Sequence, residues 1–381
     1  MRWFFSLLVL ICFTVTALVG GVFFTNYQNF GQLLQVGALI KSEFLWPVQT
    51  GKMIEGAIEG LVNSLEDEYS VYMNAEKFQE LQAHIQGTFG GIGIYVGLRE
   101  NKITVIAPIE GTPGAKAGIK SGDVIVKIND KSTENMDIDE AVGIMKGEPG
   151  TDVKVSIERS GAEKMLDFEI TREIINVPTV EGKILEENPD IAYLRIAMFA
   201  GNTDEALVEE MKKLTDQGFK AMIIDLRDNP GGDLHTVVNI AGHFIPAGPV
   251  VHIVNNNDKT ETLPAQGNYI KVPLVVLING GSASASEILA GAVKDTGVGT
   301  LVGTKTFGKG IVQSIFFLNK GAGLKLTTAK YLTPNKNDIH EKGIEPDILV
   351  ELPEFTPEQK EPLKDTQKEK AIEILEGLIN K

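Results

Sequence analysis

From Ile191 to about Tyr331 the chain alternates short apolar runs with longer stretches of helical periodicity, and few architectures satisfy that order. Ile191-Ala-Tyr-Leu-Arg-Ile196, Ala221-Met-Ile-Ile-Asp-Leu226 and Val272-Pro-Leu-Val-Val-Leu-Ile278 have strand length and little polar content. Residues 203–217, 236–244 and 284–294 between and after them read as helices, and further strands fall near 300–302, 310–317 and 324–331. Such alternation predicts a largely buried α/β sheet. The chain has 381 residues, 43% of them hydrophobic, which suffices for two or three packed domains. Forty glycines and sixteen prolines spread along it argue for many turns and against a helical bundle.

Upstream of this region the pattern is different. Residues 41–86 read as a helical region, with Ile54, Ile58, Leu61 and Leu65 at helical spacing and a turn at Asp67-Glu-Tyr-Ser70. Residues 87–172 hold a glycine-rich turn running into a strand, a second and third strand, and a helix over 137–146 with Asp139 as its expected cap. Two alternating strands joined at Ser160-Gly161 complete the module. This order, with its Gly122-Asp-Val-Ile125 turn, resembles a PDZ domain. The resemblance assigns peptide binding to Gly90, Gly91, Ile92, Gly93 and Ile94, whose backbone N–H groups would hold a terminal carboxylate while the adjacent strand edge pairs with the peptide. Read alone, the same glycines are an ordinary turn.

Residues 3–24 are almost wholly apolar, and no charge lies between Arg2 and Lys41. That length reaches roughly the thickness of a bilayer core at about 1.5 Å per residue. Residues 1–25 are therefore expected to anchor the chain in a membrane as a single pass, the alternative being a cleaved signal peptide that leaves a secreted or periplasmic protein. Either way the body faces outward. The net charge of −15 argues against a nucleic-acid partner. The single cysteine, Cys12, lies in the apolar run, so the body has no disulfides. Residues 351–381 are charged and proline-punctuated and end in an amphipathic helix over 367–379, either solvated or packed on the body or a second subunit.

The chemistry concentrates in Gly281-Ser-Ala-Ser-Ala-Ser-Glu287 and Phe307-Gly-Lys-Gly310. The first puts serines at a strand-to-helix junction, where one could cap the helix or act as a nucleophile. The second puts a lysine between glycines, and a lysine buried away from carboxylates can serve as a base. Five histidines offer a competing Ser-His-Asp arrangement, with His235 or His243 as base and Asp225 or Asp228 behind it. No metal-ligand cluster is visible, and no cofactor is expected.

Together with Leu65-Glu-Asp-Glu-Tyr-Ser-Val-Tyr-Met73, Asp225-Leu-Arg-Asp-Asn-Pro-Gly-Gly232 and Lys342-Gly-Ile-Glu-Pro-Asp347, these segments resemble the C-terminal processing proteases, peptidase family S41. The resemblance implies a multidomain α/β protein: a ClpP/crotonase-like β-β-α superhelix core over 173–350, an inserted PDZ domain over 87–172 and a helical N-terminal cap. It implies a serine endopeptidase acting on proteins with accessible C-termini. Ser284 would be the nucleophile, Lys309 the base and Gln313 the residue orienting it. The Ala285 N–H and that of Gly231 or Gly232 would form the oxyanion hole. In some relatives an arginine follows the PDZ helix, where this chain has Lys146. A membrane-anchored, non-catalytic PDZ scaffold is the alternative function, and a homo-oligomer is possible.

Overall fold

The computed structural model describes residues 27–99, 101–162, 164–353 and 364–380. The expected anchor over residues 3–24 lies outside the described residues, and no described helix is long and apolar enough to cross a membrane. The chain divides into two compact units, Met1–Asn74 and Ala75–Lys381. In the first, helices Tyr27–Glu43 and Thr50–Asn63 precede a short strand, Val71–Met73.

The second unit begins with helix Ala75–Ile85 and continues into the predicted module. Its antiparallel sheet runs Ile94–Arg99, Lys102–Pro108, Val124–Ile128, Asp152–Glu158, Leu166–Thr171 in spatial order. Ile103 and Val105, and Val153 and Val155, alternate onto one buried face, the period-two pattern that fixes register, and Ile125 and Ile128 join them across a register shift at Ile125/Lys127. Helix Ile138–Met145 closes that core through Ala141 and Met145. Its cap is Asp137 and not the expected Asp139. The extended backbone of Asp137 lets its carboxylate accept the Asp139 N–H at 2.8 Å, which makes Asp139 part of the first turn. Strand Ile94–Arg99 lies at the sheet edge with this helix against it. A two-stranded ribbon, Thr88–Gly91 with Glu173–Asn176, joins the points where the chain enters and leaves the module.

The larger core is built on a six-stranded sheet in the order Val180–Ile184, Ile191–Ile196, Ala221–Asp225, Leu274–Ile278, Gly299–Gly303, Ile348–Leu349. The first pair is antiparallel and the rest parallel. All five residues of Ala221–Asp225 and of Leu274–Ile278 are buried, as strands covered on both faces must be. Helices Thr203–Gln217, Leu234–Ala241 and Ala285–Thr296 cover one face through Leu207, Val237, Ile240 and Leu289. The C-terminal helix Thr366–Ile379 covers the other, with Ala371 and Leu375 fully buried, so it packs on the body and is not a solvated tail.

A second, antiparallel sheet was absent from the sequence reading in part. Strands Gly248–Asn255 and Thr260–Ala265 pair beside Gly323–Leu332, which also pairs with Ile311–Phe317. Helix Ala285–Thr296 lies between the two sheets, and nine of its residues are buried, Ala285 through Val293. A helix apolar all round is what such a position requires.

Candidate active site

In a parallel sheet, loops at the carboxyl ends of neighbouring strands converge. Here three do: the loops after Asp225, after Ile278 and after Gly303, whose strands are adjacent and in register. They carry residues 226–232, 279–284 and 304–310, which hold most of the residues singled out by sequence.

Ser284 is the N-cap of helix Ala285–Thr296, with φ 54° and ψ −113°. A non-glycine residue there is strained by about 1–3 kcal/mol and persists only where its surroundings over-determine it. Those surroundings are visible. Glu287, fully buried, turns its carboxylate back on the loop: Oε2 accepts the Ser284 N–H at 2.9 Å and the Lys309 N–H at 2.9 Å. Oε1 accepts the Thr306 hydroxyl at 2.6 Å and the Gly308 N–H at 2.8 Å. One carboxylate oxygen thus joins the amides of Ser284 and Lys309, 25 residues apart in sequence. Tyr331 meets the same pair from the carbonyl side, its hydroxyl donating to Lys309 O at 2.6 Å and Ser284 O at 3.0 Å. Sequence reasoning missed both residues. The Ser-x-x-Glu spacing of 284 and 287 is a capping-box signature that could have marked Glu287; nothing marked Tyr331.

The three serines separate by their hydroxyl partners. Ser282 Oγ donates to Leu226 O at 2.7 Å and accepts the Asn279 N–H at 3.0 Å. Ser286 Oγ donates to Asn229 O at 2.9 Å, so it ties the helix to the neighbouring loop. Both are fully buried, whereas Ser284 is partly exposed. Asn229, itself fully buried, organises the 226–232 loop. Its side chain donates to Ile196 O at 2.8 Å and accepts the Gly231 N–H at 2.9 Å, while its carbonyl takes the Ala283 N–H at 3.0 Å.

These bonds distinguish the two candidate glycines. Gly231 has φ 101°, and a Cβ there would lie 2.7 Å from Ala283 O and 2.9 Å from Ala285 N, so the loop passes directly over the start of the helix. Its N–H is already given to Asn229. Gly232 is exposed, and its N–H meets no protein acceptor among the described residues; the same holds for the N–H of Ala285 in the first helical turn.

Lys309 is partly buried and Gln313 follows on strand Ile311–Phe317, just past a register shift at Val312/Gln313. Gln313 Nε2 is buried and unbonded among the described residues. Glu287 reaches the Lys309 backbone, and both oxygens of that carboxylate meet four donors.

The aspartates of the histidine alternative bond to other residues. Asp225 accepts the Tyr193 hydroxyl at 2.6 Å and pairs with Arg227 at 2.6 Å; Arg227 in turn binds Asp365, the cap of the C-terminal helix, at 2.8 Å. Asp228 accepts from Asn279 Nδ2 at 2.9 Å. His235 is exposed, and His243 Nε2 faces Asp204 at 3.4 Å. Among the described residues no group of three or more His, Cys, Asp or Glu side chains could hold a metal ion.

In the smaller module the five expected residues divide. Gly90 and Gly91 belong to the ribbon with Glu173–Asn176, and Gly90 O accepts the Gly147 N–H at 3.1 Å. A Cβ on Gly90 would lie 2.1 Å from Gly147 O, so this glycine is there for close packing. The turn proper is Ile92 and Gly93. Its carbonyls are committed, Ile92 O to the Gly114 N–H at 2.7 Å and Gly93 O to the Ile109 N–H at 2.9 Å, while the N–H groups of both residues have no acceptor among the described residues. Ile94 opens the edge strand. Lys146 Nζ sits 5.1 Å from the centre of the Phe89 ring, beside the ribbon.

Comparison with known proteins identifies the family. The model of peptidase family S41 matches residues 190–350, that of a PDZ domain residues 104–159, and that of the activating protease CtpB N-terminal domain residues 22–77. A carboxy-terminal-processing protease of Bartonella bacilliformis is 40% identical over 339 residues, 86% of this chain and 77% of the relative. The carboxy-terminal processing protease CtpA of Bacillus subtilis is 36% identical over 333 residues, covering 87% of this chain and 71% of the relative. Among solved structures, the photosystem II D1 C-terminal processing protease aligns over 86% of this chain and 89% of its own, with TM-score 0.52 and 29% identity. Likeness of that extent, over the strands and loops that assemble the site, shows that the protein belongs to peptidase family S41, the carboxy-terminal processing serine endopeptidases.

Proposed function

We propose that the protein cleaves other proteins near their C-termini with Ser284 as nucleophile and Lys309 as general base. The observation that carries this reading is the shared Glu287 oxygen, which fixes the backbones of Ser284 and Lys309 side by side. In the first step Ser284 Oγ attacks the scissile carbonyl carbon and gives its proton to the Lys309 amine. The N–H groups of Ala285 and Gly232 receive the developing oxyanion; both are unspent, while that of Gly231 is bonded to Asn229. Collapse breaks the C–N bond, and the Lys309 ammonium returns the proton to the leaving amine. Water then hydrolyses the acyl-enzyme by the same route in reverse. Gln313 orients the lysine through its amide oxygen, the end that can accept an N–H from the amine.

The substrate's terminal carboxylate binds the free N–H groups of Ile92 and Gly93, and its last residues add a strand to the exposed edge of Ile94–Arg99 beside helix Ile138–Met145. Residues 3–24 hold the chain in the membrane with the body outside the cytoplasm; their length and lack of charge support this.

The test uses an unstructured protein with an apolar C-terminus as substrate, for the parent, Ser284→Ala and Lys309→Ala chains. Loss of cleavage in both variants is expected. Undiminished cleavage in either removes that residue from the mechanism. Amidating the substrate's C-terminus should lower turnover, and unchanged turnover would remove the carboxylate-binding role of the turn.

A further inference from the structure

We propose that Tyr331 is a positioning residue for the reaction, its hydroxyl holding the backbone carbonyl of Lys309, and with it that of Ser284, while Glu287 holds their N–H groups. The inference rests on the Ser284–Lys309 reading. Tyr331 ends its strand 1% exposed, the largest class of side chain wholly enclosed in the core, and its polar tip needs a partner there. The partners are the two carbonyls of the residues assigned to the chemistry, at 2.6 Å for Lys309 and 3.0 Å for Ser284. Its backbone N–H also donates to Gly310 O at 2.9 Å, so one residue grips both carbonyls that follow the lysine side chain. Burial first, and then the Glu287 carboxylate, push the phenol well above its ordinary value, which keeps the hydroxyl a donor at every working pH.

The two grips are complementary. Glu287 takes the N–H of residues 284 and 309, and Tyr331 serves their C=O. They are not equivalent in effect. Ser284 O also accepts the N–H of Glu287 at 2.8 Å and of Ile288 at 3.0 Å as the first helical bonds, so the nucleophile keeps support when the phenol is removed. The lysine segment, flanked by Gly308 and Gly310, has little intrinsic stiffness and depends more on the tyrosine. Loss of the hydroxyl therefore displaces the base relative to the nucleophile while the substrate-binding surfaces stay in place. Such a displacement lowers kcat and leaves KM, because only the transition state uses the serine-to-lysine proton transfer.

The experiment compares the full chain with Tyr331→Phe, which removes one oxygen and keeps the packing. The expected result is a kcat lowered by roughly 10- to 100-fold, the scale of a sub-ångström to 1 Å misplacement, with KM within about twofold. The rate at which a fluorophosphonate labels Ser284 should fall by a similar factor, since labelling needs the activated hydroxyl but no protein substrate. Counting labelled sites at completion normalises both rates to folded enzyme, so partial unfolding does not mimic the effect. Ser314→Ala provides a second variant: it removes the Ser314–Thr328 hydroxyl bond of 2.6 Å from the same hairpin and should leave kcat and labelling within about twofold. A normalised kcat for Tyr331→Phe within twofold of the parent overturns the proposal, as does an equal loss in Ser314→Ala. Full activity in Ser284→Ala or Lys309→Ala would instead overturn the underlying assignment, whatever Tyr331→Phe shows.

Discussion

Replacing Glu287 by glutamine tests whether a buried carboxylate organises the site. The side chain is fully buried and accepts four hydrogen bonds, two on each oxygen, at 2.6 to 2.9 Å. An amide has one acceptor end and one donor end, so Glu287→Gln must turn its NH2 toward one of the two pairs of donors. Toward Ser284 and Lys309 it meets two backbone N–H groups that cannot reverse. Toward Thr306 and Gly308 it meets one such group and one hydroxyl, which already accepts the Ile344 N–H at 2.7 Å and can accept a second bond by turning its own proton away. The second orientation wins, at the cost of one unpaired buried N–H and of the hydroxyl's former acceptor, about 1–3 kcal/mol. The three remaining bonds lose their charge assistance, which adds roughly 1–2 kcal/mol in total. A loss near 2–5 kcal/mol is a large part of a typical folding stability of about 5–15 kcal/mol.

Urea unfolding measures it directly: the midpoint should fall for Glu287→Gln with the slope unchanged. Because the favoured orientation keeps Oε1 on the amides of Ser284 and Lys309, stability should suffer more than turnover per folded molecule. Glu287→Asp should also destabilise, since the shorter side chain cannot span both loops. A Glu287→Gln chain within about 0.5 kcal/mol of the parent would refute the reasoning, because an acceptor-only group bonded to four donors cannot be replaced so cheaply.

Ser284→Gly should be about 1 kcal/mol more stable than Ser284→Ala, since both delete the hydroxyl and only glycine relieves φ 54°; equal melting of the two would show that no strain resides there. Gly231→Ala should reduce turnover by about 100-fold or more, because its Cβ would press on Ala283 O and Ala285 N, whereas Gly122→Ala, with φ 85° and nothing within 4 Å, should keep its activity. The C-terminal helix should loosen in acid. Burial alone would raise the Asp365 carboxyl, but bonds from Arg227 and the Lys368 N–H hold it below its ordinary value, so its contribution is present above about pH 4 and is lost as pH falls through the folded value. Hydrogen exchange of Thr366–Ile379, corrected for intrinsic rates, should rise on going from pH 6 to pH 3 in the parent and change far less in Asp365→Asn.

The parallel strands were legible because burial on both faces leaves an apolar run that nothing else explains, as in Ala221–Asp225 and Leu274–Ile278. Strands Thr260–Ala265 and Val180–Ile184 were not, because each lies at a sheet edge and carries Thr, Glu or Lys outward, a pattern that a loop shares. The amphipathic C-terminal helix could be read, but not its docking, which depends on an Arg227–Asp365 pair separated by 138 residues. In the smaller module Gly90 and Gly91 read as part of one glycine turn with Gly93, whereas their lack of side chains also serves packing on Gly147 and Phe89. A glycine records that a Cβ is excluded, and sequence does not say by what.

The same limit explains how the site itself was half seen. Ser284 and Lys309 stand in short segments whose composition advertises a turn, and each could be singled out without knowing where the other lay. What joins their backbones is contributed by residues of ordinary appearance: a glutamate one helical turn past the serine and a tyrosine near a strand end. Each acts on backbone groups, N–H or C=O, which every residue carries, so no side-chain pattern at positions 284 and 309 could encode the contact. A chain that changed the Lys309 side chain would keep the four donors that meet Glu287, because they are the N–H groups of residues 284, 308 and 309 and the Thr306 hydroxyl. The backbone of the candidate site is therefore specified apart from the lysine side chain, and Glu287→Gln should lower the urea midpoint more than Lys309→Ala does.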